Sequence, residues 1–182
     1  MLDSIPWRKL EQGINLIFEN LQTLIDSADV LYQNRKYPIS ISLSILAFEE
    51  TSKAGLLLEH YENKTDLPRD LWNALTKTRK NTPHYNKLLK FLKQEKIVLL
   101  DFSKLKKPII DCTEEELNEL AARFYNNVKK NVFYVDWDSE LCKWVWFRND
   151  HPEDRQKSLA IRFLRSIKKR FIDLEKHKRQ LL

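Results

Sequence analysis

From Trp7 to Tyr32 the apolar positions Trp7, Leu10, Ile14, Ile17/Phe18, Leu21, Leu24/Ile25, Ala28 and Leu31 recur at steps of three and four, with polar residues between them. That stripe predicts one long amphipathic helix. After the polar connection Asn34-Arg35-Lys36 the pattern changes: Ile39, Ile41, Leu43, Ile45, Leu46, Ala47 and Phe48 surround a helix expected over Tyr37–Glu62. A helix that is apolar all round is a buried one. The shortness of the connection makes the two helices antiparallel neighbours.

Further along, Asp66-Leu67-Pro68-Arg69-Asp70 reads as the capped start of a short helix to about Lys77, and His84 to about Lys96 is amphipathic through Leu88, Phe91 and Leu92. Ile97 to Ile110 carries no regular pattern. Thr113 and Glu116 form a capping box ahead of Leu117, Leu120/Ala121, Phe124, Val128 and Val132, which predicts a helix over about Thr113–Asn131. The aromatic run Trp144-Val145-Trp146-Phe147 reads as core or interface. A last helix follows from Asp150-His151-Pro152-Glu153, its inner face Ala160, Phe163/Leu164, Ile167, Phe171 and Leu174. These elements predict an all-α helical bundle, a single domain over residues 1–182.

Composition supports the helical reading. Only two glycines, Gly13 and Gly55, leave little material for tight β turns, and the six prolines are spaced as punctuation between helices. Cys112 and Cys142 have neither metal-ligand nor disulfide-framework spacing, as in a reducing compartment. No apolar run approaches the roughly 18 residues that span a bilayer, and no secretory leader pattern is evident, so the expected location is cytoplasmic, without a membrane partner. The net charge of +6 makes nucleic acid a plausible partner. Between Arg155 and Arg179 ten basic residues stand against Asp173 and Glu175, a local excess of +8. This run is either a solvated outer face or a phosphate-contacting surface, with Arg162, Arg165 and Lys169 as its candidate RNA contacts.

The second helix also holds the most unusual polar residues. Leu43, Leu46/Ala47, Glu50, Ala54 and Leu57 share one stripe, which puts Glu50 among leucines. A carboxylate there needs a partner. Lys53, three residues after Glu50 and four after Glu49, is placed to provide it, so an internal charged cluster is expected. A di-metal site of the bundle type calls for Glu-x-x-His, but Glu50 has Lys53 at that position and a lysine competes with a cation. No metal and no cofactor is expected. Nucleophilic chemistry lacks a Gly-x-Ser-x-Gly elbow or a phosphate-cradling glycine loop. Of the four histidines, His84 begins an apolar stripe and has Lys87 three residues on.

Leu46-Ala47-Phe48-Glu49-Glu50-Thr51-Ser52-Lys53-Ala54 resembles the lAxEExxKA helix of the AbiV abortive-infection family, a branch of the HEPN helical superfamily. His84-Tyr85-Asn86-Lys87 is similar to that family's HxxK, and Phe133-Tyr134-Val135-Asp136 to its LYVD; with the N-terminal hairpin, the resemblance runs from about Leu16 to Pro152. It implies a HEPN-like bundle, a homodimer, and a role in abortive response to phage infection. Many HEPN proteins are metal-independent endoribonucleases with Arg, four to six residues, then His. In such a site Arg holds the scissile phosphate while His moves a proton of the 2′-hydroxyl or the leaving oxygen. Arg79 with His84 and Arg170 with His177 both fit that spacing, and Pro83 keeps Arg79 and His84 off one regular helix.

The resulting expectation is an antiphage effector with His84 in proton transfer, Arg79 or Arg123 on phosphate, Lys87 beside them, and Glu49, Glu50, Lys53, Tyr134 and Asp136 framing the site. A phage-encoded protein is the expected activator. Two alternatives stand beside it: a non-catalytic helical module switched by a phage protein, and a basic RNA-binding protein acting through its last helix.

Overall fold

The computed structural model describes residues 3–76, 113–133, 136–138, 143–145 and 152–182. Among these residues lie five α-helices: α1 (Leu10–Gln33), α2 (Tyr37–Glu62), α3 (Arg69–Thr76), α4 (Glu114–Phe133) and α5 (Glu153–Leu181). The expected helix over His84–Lys96 lies outside the described residues, as do residues 77–112 altogether.

The long helices begin and end as their sequences dictate. A 3₁₀ turn, Trp7–Lys9, leads into α1, and Pro38 lies in the first turn of α2, where its missing N–H is harmless. The capping box at α4 forms in both directions: Thr113 N donates to Glu116 Oε2 at 2.8 Å, and Glu116 N to Thr113 Oγ1 at 3.2 Å. Helix α5 starts after Pro152 with Glu153 and Asp154 and ends with Lys178 and Arg179, complementing its dipole at both ends.

Scarcity of glycine is felt at the helix ends. Both α1 and α2 close in Schellman motifs: Lys36 N donates to Leu31 O and Arg35 N to Tyr32 O, while Thr65 N donates to His60 O and Lys64 N to Tyr61 O. The left-handed position, usually glycine, is filled by Arg35 (φ 57°) and Lys64 (φ 52°).

Helices α1, α2 and α5 form most of the core, to which α4 adds Ala121, Ala122, Val128 and Val132. Ser40 near the start of α2 donates to the Ala28 carbonyl late in α1, and Gly13 early in α1 lies against Leu57 late in α2, so the hairpin is antiparallel. The third helix runs along both, with Phe163 against Phe48 (centroids 5.7 Å apart) and Phe171 against Phe18 (5.8 Å). No residue of α2 from Ser40 to Leu58 is exposed. Ile14, Leu21, Ile41, Ile45 and Ile167 are wholly inaccessible, so the apolar seam between these three helices is dry and closely packed.

Two small pairings interrupt the all-helical pattern. Strand β1 (Ser4–Ile5) pairs antiparallel with β2 (Leu67–Pro68), tying the N-terminal segment to the α2–α3 connection. Asp66, at the head of the stretch expected to open α3, accepts from Trp7 N at 3.0 Å, because the strand pairing brings Trp7 to it. Strand β3 (Asp136–Asp138) pairs with β4 (Lys143–Val145), setting Trp137 opposite Trp144. The expected aromatic run thus begins in a strand, its last two residues being outside the described ones.

Candidate functional site

The charged residues of α2 separate into two pairs with different surroundings. Glu50 and Lys53 meet at 2.5 Å, one turn apart, with side chains 16% and 18% exposed. They occupy the least covered side of the helix, together with the half-buried Leu43 and Leu46. Glu49 points elsewhere. It is 1% exposed, and its Oε1 accepts from Lys129 Nζ of α4 at 2.5 Å.

The geometry revises the expected burial while leaving the ion pair with Lys53 in place. The stripe Leu43, Leu46, Glu50, Lys53 is half-open, whereas the fully buried carboxylate is Glu49, one position before Glu50 and therefore about 100° around the helix. Its partner Lys129 is 7% exposed and was missed by local spacing, lying eighty positions away in sequence. One signal for it existed: Lys129 follows Val128 and precedes Val132, on the apolar side of an otherwise amphipathic helix. A lysine placed there calls for an anion within the fold.

Around this junction α2 is lined with small hydroxyl residues. Ser40, Ser42, Ser44, Thr51 and Ser52 are all buried. Thr51 Oγ1 donates to Phe48 O at 2.7 Å and Ser44 Oγ to Ser40 O at 2.9 Å, which returns these hydroxyls to their own helix. On α4, Ala121 and Ala122 are inaccessible, small side chains that let the two helices approach.

The remaining candidates fall in different places. Arg123 is on α4 with its side chain 69% exposed, 3.6 Å from Glu119 one turn earlier, on the outside of the helix and apart from buried Lys129. Asp136 belongs to β3. Arg162, Arg165 and Lys169 are exposed on α5. His84, Arg79, Lys87 and Tyr134 lie outside the described residues. Arg170 is half-buried on α5, and His177 reaches Glu62 of α2 at 3.2 Å.

Among the described residues no group of three or more His, Cys, Asp or Glu comes together as a metal site, and each acidic residue of the α2 motif already holds a lysine. No helix among them is long and apolar enough to cross a membrane.

A long hairpin packed on a third helix, with a Glu-Glu-x-x-Lys motif in its second helix, makes an all-α bundle consistent with the HEPN class. Residues 9–170 match the family model described as AbiV, and the chain belongs to that family. No curated protein and no solved structure matches the chain.

Proposed function

We propose that the protein is an antiphage abortive-infection effector of the HEPN type that acts on RNA, as a metal-independent endoribonuclease directed at RNA or the translation machinery, and works as a homodimer in the cytoplasm. Membership of the AbiV family over residues 9–170 is the observation that carries this reading. In it His84 takes the proton of a ribose 2′-hydroxyl, the 2′-oxygen attacks phosphorus to close a 2′,3′-cyclic phosphate, and the P–O5′ bond breaks as the imidazolium returns that proton to the departing 5′-oxygen. Arg79 or the exposed Arg123 neutralises the phosphate, with Lys87 adding charge. Glu49, Glu50 and Lys53 hold the framework, and Tyr134 and Asp136 border it. A phage-encoded protein supplies the trigger.

Purified protein incubated with single-stranded and structured RNA in EDTA tests the reading. Cleavage by wild type, with and without lysate from infected cells, and its loss in His84→Ala are the expected results. Equal behaviour of the two proteins under every activating condition would remove the nuclease assignment.

A second reading is favoured by the two satisfied ion pairs: the Glu-Glu-x-x-Lys motif then serves only to set helix register in a binding module switched by a phage protein. It requires that His84→Ala, with its melting temperature unchanged, protect cells from phage as well as wild type does.

A further inference from the structure

The outer side of α5 carries a straight stripe that nothing in the bundle uses. Arg155, Ser158, Arg162, Arg165, Lys169, Ile172 and Lys176 follow one another at alternating steps of three and four, and all seven are exposed. Five of the seven are cations. Among the described residues none of the five holds an ion pair, in contrast to Lys168, Arg179 and His177 on the flanks, which bond Asp29, Glu175 and Glu62. Exposed acids flank it only towards its ends, Glu153 and Asp154 before Arg155 and Asp173 between Ile172 and Lys176, and none lies between Ser158 and Lys169. A solvated helix face ordinarily mixes signs at i, i+4 spacing. This stripe is single-signed and runs about 32 Å at 1.5 Å per residue.

Its chemistry selects among polyanions. A lipid surface takes a helix by its apolar face, but Phe163, Leu164, Ile167 and Leu174 of α5 are in the core. Single strands are held by aromatic platforms on which bases stack. The stripe has none, since Phe163 and Phe171 turn inward against Phe48 and Phe18. Arg and Lys read guanine edges only from within a major groove, and the deep, narrow major groove of an A-form helix does not admit them. A rigid line of point charges remains, matched to regularly spaced phosphates.

We infer that the outer stripe of α5 binds the phosphate backbone of double-helical RNA without reading its sequence. The choice of RNA rests on the proposed RNA-directed function; the preference for a duplex and the indifference to sequence rest on the stripe itself. The surface delivers structured RNA to the protein and is separate from the Glu49–Lys129 junction, which lies on the α2 side facing α4.

Fluorescence anisotropy with the full chain decides it, using a 20-base-pair RNA duplex in two unrelated sequences, a single strand of the same length, and a DNA duplex of the same sequence. Both RNA duplexes should bind alike and more tightly than the single strand. Log affinity should fall with log salt at a slope of about −4 to −5. The triple variant Arg162→Gln, Arg165→Gln, Lys169→Gln should lose roughly 10–100-fold in duplex affinity, its slope reduced by about three, with its melting temperature unchanged. Duplex binding unaffected by the triple variant, or a preference for the single strand, overturns the inference and leaves the RNA-directed function standing. Preference for the DNA duplex overturns the assignment to RNA. Absence of binding to any RNA, together with absence of cleavage in EDTA, sinks both.

Discussion

Two seams of this bundle differ in whether a buried ion pair crosses them. Between α1, α2 and α5 the contact is apolar and aromatic, with Ile14, Leu21, Ile45, Phe48, Phe163 and Ile167 at most 1% exposed. Between α2 and α4 a buried ion pair, Glu49 with Lys129, spans the interface, and α4 also buries Ala121, Ala122, Val128 and Val132. Apolar packing is non-directional, and its free energy follows the area removed from water. A buried ion pair gives little net stability, because desolvation offsets the attraction, but it penalises every register in which the charges fail to meet. The three-helix core therefore supplies stability, and the α2–α4 junction supplies position.

The largest expected effect comes from breaking the junction on one side. Lys129→Met leaves Glu49 buried without its cation and should cost about 3–5 kcal/mol in a urea titration. Replacing both charges, Glu49→Leu with Lys129→Met, should recover most of that loss, since no orphan charge remains. A double variant no more stable than the single one would mean that the pair contributes stability outright, and the contrast between the two seams would fail. In the apolar seam the corresponding trim is gentle. Ile45→Val removes one methylene from a fully buried position and should cost about 0.5–1.5 kcal/mol. A loss as large as that of Lys129→Met would show the core to be as intolerant as the junction.

Legibility in the sequence divides along the same line. Helix α2 spans Tyr37–Glu62 as its apolar pattern predicts, α1 and α5 follow their stripes, and the Thr113–Glu116 box forms as written, because periodicity and capping are local properties. Strands of two residues leave no periodic trace, so the β1–β2 tie and the capture of Asp66 by Trp7 were not readable. The left-handed turns at Arg35 and Lys64 were hidden for a related reason, as the residue that announces such a turn is glycine. At the candidate site the Glu50–Lys53 pair was legible at three-residue spacing. The partner of Glu49 was not. Lys53 stood at a suitable i+4 position, and only the approach of α4, eighty residues on, decides that Lys129 takes that carboxylate.

The smallest effects come at the two glycines, one in α1 and one in α2, which differ in what a methyl group would meet. At Gly55, within α2, a Cβ has open space, with nothing inside 4 Å. Alanine there restores helix propensity and should stabilise by about 0.5–1 kcal/mol. At Gly13, within α1, the same Cβ would stand 3.1 Å from Leu57 Cδ1, tighter than ordinary contact. Leu57 is 3% exposed, so it has little room to give way. The propensity gained at Gly13→Ala is then offset by overpacking against α2, and the net change should be close to zero or unfavourable. Thermal melts of the two variants side by side measure the difference. Equal stabilisation by both would mean that the α1–α2 seam yields by several tenths of an ångström without cost, and that close packing there is weaker than its burial implies.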